Sequence, residues 1–267
     1  MKIILNEKVL LNKSLNDGYI DKKPSITIKL LAKHFFKIGQ DKEQVIDSID
    51  NFMSNNYKKY NFMDWQDTIK RIVGKVGKLD VFEFINISNI IIYQDELDLI
   101  KNIDNLRLEK LAFVLLVYSK IYNQMNNNET NWVNSNLRDI FSDTKMTVSK
   151  KDQNLMINKL GNMGLLEVSR IVDCTNMKVL FTKNKGKIAI VICDFRDFIY
   201  EYLDWVGYKI DICEGKDCHR LIMVKNNRQK YCNICWKKKV KELSKETSRK
   251  YREKLKSDSL ETINKPL

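Results

Sequence analysis

The sequence predicts a mainly α-helical α+β protein, and three observations carry that expectation. Proline and glycine are scarce, two and nine in 267 residues, so few positions interrupt a helix. Apolar residues recur every three or four positions through much of the N-terminal half, the spacing of a buried helix face. Short β-branched runs bounded by Asn, Asp or Gly fall between these stretches and confine strand to small elements. With 43% apolar residues the chain can bury a sizeable core shared among small domains. The expected division is a helical domain over 1–78, a mixed domain over 79–210, a cysteine-rich module over 211–236 and a basic helix with a tail over 237–267.

In the first domain, Asn16-Asp17-Gly18 marks a turn and Pro24 sits where a helix can begin, because the N–H it lacks would be unpaired there anyway. Ile28, Leu31, Ala32, Phe35 and Phe36 follow at helical spacing, and Gly39 ends the run. Asp41 is placed to cap a second helix carrying Val45, Ile46, Ile49 and Phe52. A third is expected from Asp64 to Val76, with Trp65, Ile69 and Ile72 or Val73 inward. His34 lies on the first of these helices and is read as a satisfied or exposed side chain. Gly18, Leu30-Leu31-Ala32, Gly39 and the Asp41…Val45-Ile46…Ile49 helix resemble the small helical module at the C-terminal side of some plasmid and phage primases. The acidic triad of a primase active site has no counterpart here.

In the second domain, alternation from Leu79 to Tyr93 suits a short hairpin. A strongly apolar helix is expected over Leu108–Tyr122, followed by an Asn-rich loop at Asn126–Asn128. Ser135 or Asn136 can cap a short helix through Leu137, Ile140 and Phe141. Ser149 can cap another carrying Leu155, Met156 and Leu160. Leu165–Val168 and Lys178–Phe181 read as paired strands around a turn at Asp173–Asn176. Helix, helix, helix, hairpin is the order of a winged helix-turn-helix, and Asn158–Leu166 resembles the passage from recognition helix to wing in that superfamily. The resemblance implies that the third helix enters a major groove with Lys150, Lys151, Gln153, Asn154 and Asn158 facing DNA. Lysine would hold phosphate, whereas Gln and Asn can pair bidentately with adenine. The wing would present Arg170, Asn176 and Lys178 to the backbone or minor groove. Such a domain can equally dock a protein or dimerise. Beyond it, Ile188–Ile192 reads as a strand, and Asp194–Tyr208 as a helix whose aromatics pack in the core and dock the next module.

Six cysteines could form three disulfides in an oxidising compartment. Met1–Leu5 is too short for a secretory signal, which needs about 7–15 apolar residues, and no run approaches the roughly 18 of a membrane span. A cytoplasmic protein with no membrane partner is therefore expected. Four of the cysteines fall within 23 residues as Cys213-x4-Cys218-x13-Cys232-x2-Cys235. Two close pairs on adjacent turns suit a tetrahedral ion, so structural Zn2+ is the expected cofactor. His219 is a competing ligand beside Cys218, and Cys232-x-x-Cys235 is a redox pair in the rival reading, though without the βαβ setting of that chemistry. Cys174 and Cys193 stand apart and are read as small buried hydrophobes. The stretch from Cys218-His219-Arg220-Leu221-Ile222 through Arg228-Gln229-Lys230-Tyr231-Cys232 to Cys235 resembles the C-terminal zinc knuckle of many bacteriophage and mobile-element proteins. In those proteins a similar passage leads into a basic helix. The x4 spacing of the first pair departs from the commoner x2 and lengthens one loop.

Charge is concentrated in the knuckle and the helix that follows it. Lys216–Lys256 holds fifteen Lys/Arg against four Asp/Glu, leaving only about +2 of the net +13 for the rest of the chain. Arg228, Lys230, Lys237, Lys238, Lys239, Arg249, Lys250 and Arg252 are the candidate contacts of this arm to a polyanion. Trp236, Val240, Leu243, Thr247, Tyr251 and Leu255 form a narrow apolar seam on the same helix, suited to the body of the protein or to a second copy in a homo-oligomer. A solvated helix without a partner is the plain alternative.

The composite expectation is a non-enzymatic, zinc-containing binder of double-stranded DNA, acting in replication or transcription of a phage or mobile element. An RNA or single-strand binder using Tyr231 and Trp236 for stacking is the first alternative, and an adaptor for a host polymerase or replisome the second. Only two histidines are present, with no Gly-rich phosphate loop, GxSxG turn or HExxH. Scattered carboxylates leave a nuclease as the remaining enzymatic alternative.

Overall fold

The computed structural model describes residues 3–79, 81–169, 176–226 and 229–263, with side chains to residue 253. It is a mixed α+β chain that divides into two compact units. One comprises Lys2–Ser88 with Asn123–Glu129, the other Asn89–Tyr122 with Thr130–Leu267.

The first unit holds four helices, one more than the sequence suggested: α1 (Glu7–Asp17), α2 (Pro24–Lys37), α3 (Lys42–Asn56) and α4 (Phe62–Val76). Their boundaries follow local chemistry. The Asn6 side chain accepts from the Val9 N–H to start α1, and Asp41 and Gln44 form a reciprocal capping box on α3. Gly18 ends α1 at φ 62°, in the left-handed region that favours glycine. Ile28, Leu31, Val45, Ile49, Ile69 and Val73 are fully buried and make one core. Glu7, just after the apolar stretch Met1–Leu5, is buried. Its buried carboxylate takes Lys33 Nζ at 2.6 Å and the Ile85 N–H at 3.0 Å, tying α1 to α2 and to the segment before residue 88. His34 is half-buried on α2, where desolvation lowers its pKa.

The second unit runs β1 (Ile90–Tyr93), α5 (Gln94–Lys101), α6 (Leu106–Asn126), β2 (Trp132–Val133), α7 (Leu137–Asp143) and α8 (Lys150–Asn162). It continues with β3 (Leu166–Val168), β4 (Met177–Val179), β5 (Ile188–Ile192), α9 (Ile199–Val206), β6 (Ile210–Ile212), β7 (Leu221–Met223) and α10 (Asn233–Ile263). Among the described residues the strands form three small antiparallel sheets, ordered β1-β5, β2-β4-β3 and β6-β7.

Helix α6 is the centre of this unit. Every residue from Leu111 to Ile121 is buried, so the helix is apolar around its whole circumference and its few polar groups need partners. Tyr118 donates to Asp143 at 2.7 Å, and Glu109 accepts from Tyr202 at 2.7 Å. Phe113 stacks on Tyr202 with ring centroids 5.0 Å apart, so Tyr202 of α9 is core, as expected. Helix α9 also contacts β5, β6 and β7, joining the cysteine-rich module to the body.

Several expectations need correction. Among the described residues Leu79–Tyr93 forms no hairpin: Ile90–Tyr93 pairs instead with Ile188–Ile192, about a hundred residues on. The helix expected over Asp194–Tyr208 is confined to Ile199–Val206, because Asp194 holds the Arg196 guanidinium and N–H in a tight local turn. On α8 the inward residues are Met156, Ile157 and Leu160, while Leu155 is exposed. Cys193 is exposed rather than buried, since it follows the inward Ile192 at the end of β5 and takes the opposite face. Cys174 and the turn at 173–175 lie outside the described residues. No helix among the described residues is long and apolar enough to cross a membrane.

Candidate metal centre and basic surface

The four thiols expected to act together do come together. Cys213 follows β6, Cys218 ends the loop before β7, Cys232 precedes α10 and Cys235 lies in its first turn. Their sulfur atoms all lie within 4.8 Å of one another. A tetrahedron with metal–sulfur bonds of about 2.3 Å has edges of about 3.8 Å. Cys218 Sγ and Cys232 Sγ are 3.8 Å apart, which matches that edge. The cluster could therefore hold a metal ion. His219 is exposed, at φ 48°, and is not part of the group.

Backbone N–H groups point at the sulfurs. Gly215 and Cys232 donate to Cys213 Sγ at 3.4 and 3.2 Å, and Cys235 donates to Cys232 Sγ at 3.5 Å. Such donors favour thiolate over thiol. Burial raises the Cys232 thiol, but the N–H groups of Cys235 and Ile234 outweigh it and hold it at about 7. Hydrogen bonding to Cys218 pushes the Cys235 thiol up to about 12. The opposed shifts are those of thiols sharing protons at close quarters, and a dication takes the place of those protons in such a set.

Two features of the site were not legible as motifs. The first is β6, only three residues long, whose pairing with β7 sets the distance between the two knuckles. The second is Gly215. A Cβ at this position would meet Cys235 Sγ at 2.4 Å and Cys235 Cβ at 2.9 Å, so the x4 loop closes only over glycine. Gly215→Ala is expected to weaken metal affinity about 10–100-fold, the usual penalty for disturbing the shell behind the ligands. Competition with a chromophoric chelator measures this. Gly74→Ala, on α4 with nothing within 4 Å of the new Cβ, serves as the neutral comparison.

The polar residues expected on α8 divide. Lys150, Lys151, Asn154 and Asn158 are exposed on its outer side, where Ser149 caps the helix by accepting from the Asp152 N–H. Gln153 is half-buried and its amide donates to the Val148 carbonyl at 3.1 Å, so it is tied to its own helix start. Asn176 and Lys178 are half-buried, with Lys178 on β4 opposite Trp132 and Glu167. Arg170 and Arg228 lie outside the described residues.

The cations of the C-terminal arm also divide. Lys230 pairs with Glu214 at 2.9 Å, and Lys239 donates to the Tyr231 hydroxyl at 2.8 Å while lying over its ring. Lys250 and Arg249 meet Glu246 and Glu253 one turn away at 2.8 and 3.5 Å, exposed pairs of small energetic weight. Lys237, Lys238 and Arg252 make no ion pair among the described residues. Trp236, Val240, Leu243 and Tyr251 are all exposed, so the apolar seam is uncovered over its described length.

No protein-family profile matches the chain, and no curated protein or solved structure matches it.

Proposed function

We propose that the protein is a zinc-containing binder of double-stranded DNA, of the kind that serves replication or transcription control in phages and mobile elements. One observation carries the reading: a four-thiol cluster able to hold a metal opens directly into a 31-residue helix, and the stretch Lys216–Lys256 across the two holds fifteen Lys/Arg against four Asp/Glu, most of the chain's surplus positive charge. Zinc is the favoured ion because four thiolates in a tetrahedron satisfy it completely. That closed set leaves no position to activate water, so the ion is structural. Four thiolates around a dication subtract about two charges, and the arm remains strongly basic.

Helix α6, strand β2, helices α7 and α8 and strands β3 and β4 follow the element order of a winged helix, with α8 as recognition helix. In this reading Lys150 and Lys151 hold phosphate at the start of α8, while Asn154 and Asn158 read base edges. Gln153 serves the fold instead, since its amide is already engaged. Lys237, Lys238 and Arg252 supply further phosphate contacts.

Salt titration of duplex binding tests this. If about five phosphates are neutralised, log K falls against log salt with a slope of about −4.5. Replacing Lys237, Lys238 and Arg252 together by Gln makes that slope shallower by about 1 per residue. Asn154→Ala with Asn158→Ala lowers discrimination between a selected site and random duplex and leaves the slope in place. A slope near zero in the wild-type protein refutes the proposal.

A further inference from the structure

Between the cysteine-rich module and the body of the second unit lies an open groove of about 820 Å³, within the size range of sites that enclose small ligands. Lys110 of α6, Lys145 after α7, Tyr200 of α9, Arg220 and Lys225 of the module and Trp236 of α10 line it. The one acidic side chain in the lining, Asp197, is already committed, holding Lys145 at 2.7 Å and Arg220 at 3.5 Å. Cations are therefore left in surplus along the wall.

Two half-buried polar groups in this wall have no protein partner among the described residues. The Lys110 ammonium makes no ion pair or hydrogen bond, although burial disfavours its charge. The Tyr200 hydroxyl makes no hydrogen bond either, and Lys225 Nζ is likewise unpaired. A half-buried cation, a free hydroxyl and an exposed cation facing one space suit an anionic ligand with further acceptors. The rim adds flat apolar surface: Trp236 is 53% exposed, and Tyr231 also lines the groove, with one face taken by Lys239.

The geometry points to a second binding site, in which this groove takes an unpaired nucleotide of a strand whose duplex portion lies along α10. Phosphate meets Lys110 and Lys225, and the base stacks on Trp236. The inference rests on the duplex-binding reading above for the direction of approach, because Trp236 is in the first turn of the basic helix. Aromatic stacking beside a cationic track is the general means of holding single strands without sequence preference. A free phosphate would leave Trp236 unused, and an acidic peptide would use the cations without needing the aromatic plane.

The test compares a blunt duplex with the same duplex extended by a short oligothymidine overhang, using full-length, metal-loaded protein and fluorescence anisotropy. The overhang is expected to raise affinity about tenfold. Trp236→Leu and, separately, Lys225→Gln are expected to remove most of that gain while blunt-duplex affinity stays unchanged. Lys225 is exposed, so its variant reports on the groove even where Trp236→Leu disturbs folding. An absent gain, an equal loss on both probes, or displacement of the overhang by polyglutamate as readily as by oligothymidine would each overturn the inference. Blunt-duplex binding retained without an overhang gain sinks the groove alone. An overhang gain that needs Trp236, in a protein with no affinity for blunt duplex, upholds the groove and sinks the duplex reading.

Discussion

Stripping the metal with a chelator, or replacing Cys218 and Cys235 by serine, is expected to unfold residues 210–236 while helices α1–α4 keep their structure. The module has almost no core of its own. Of its described side chains only Cys213 and Ile222 are buried, and its one sheet pairs three residues with three. A hairpin of that size is marginal in water, so its order must come from elsewhere. Structural zinc in small finger peptides contributes an apparent 10–16 kcal/mol near neutral pH, and where no preformed site survives unfolding that energy is folding energy. Hydrogen exchange gives the sharpest measurement. The N–H groups of Cys213, Glu214 and Val224, bonded to Arg220, Lys230 and Lys209, should lose protection on chelation. Those of α2 and α3, which sit on a separate core, should not. Unchanged protection in the module, or purified protein with far less than one metal per chain, would remove the basis for reading these cysteines as ligands.

The reason this site could be read from sequence is that its determinants are local. Two pairs of cysteines at short spacing announce themselves, and only Gly215 and the three-residue β6 were invisible, because each matters through a sulfur or a strand elsewhere in the chain. The same division runs through the fold. Asp41, Asn136 and Ser149 mark helix starts by hydrogen bonds that reach two or three residues ahead, and all three were legible. Ile90–Tyr93 was not. Its alternation fits a strand, but nothing nearby in the sequence reveals that the partner is β5, and local alternation points only to the adjacent apolar run. Helix α1 was missed for a related reason. Its inward face is short, and one of its buried residues is Glu7, which reads as a surface charge until Lys33 and Ile85 are seen to satisfy it.

A second buried carboxylate makes the largest single-residue prediction. The Glu96 side chain, at the start of α5, is wholly enclosed. One oxygen accepts the Tyr93 N–H at 2.8 Å; the other accepts the Lys183 N–H at 2.6 Å and pairs with Lys120 Nζ at 2.9 Å. Lys120 also donates to the Lys183 carbonyl and lies 4.6 Å over the Tyr93 ring. Burial drives the Lys120 pKa down, and the Glu96 carboxylate opposes that shift. Glu96→Ala removes that counter-charge and orphans two N–H groups at the ends of the β1–β5 connection. It should destabilise the second unit by about 3–5 kcal/mol. The double variant Glu96→Leu, Lys120→Met leaves no unpaired charge, and it should be more stable than the sum of the single losses implies. Urea unfolding of the wild type, Glu96→Leu, Lys120→Met and the double variant, followed by Trp fluorescence, closes the cycle. Because the pair lies on α5 and α6 and not on the exposed side of α8, Glu96→Ala should leave the salt slope of duplex binding intact wherever the variant is still folded. Loss of binding at temperatures well below its melting point would instead place Glu96 in the recognition machinery, and additive single losses would show that the pair does not act as one unit.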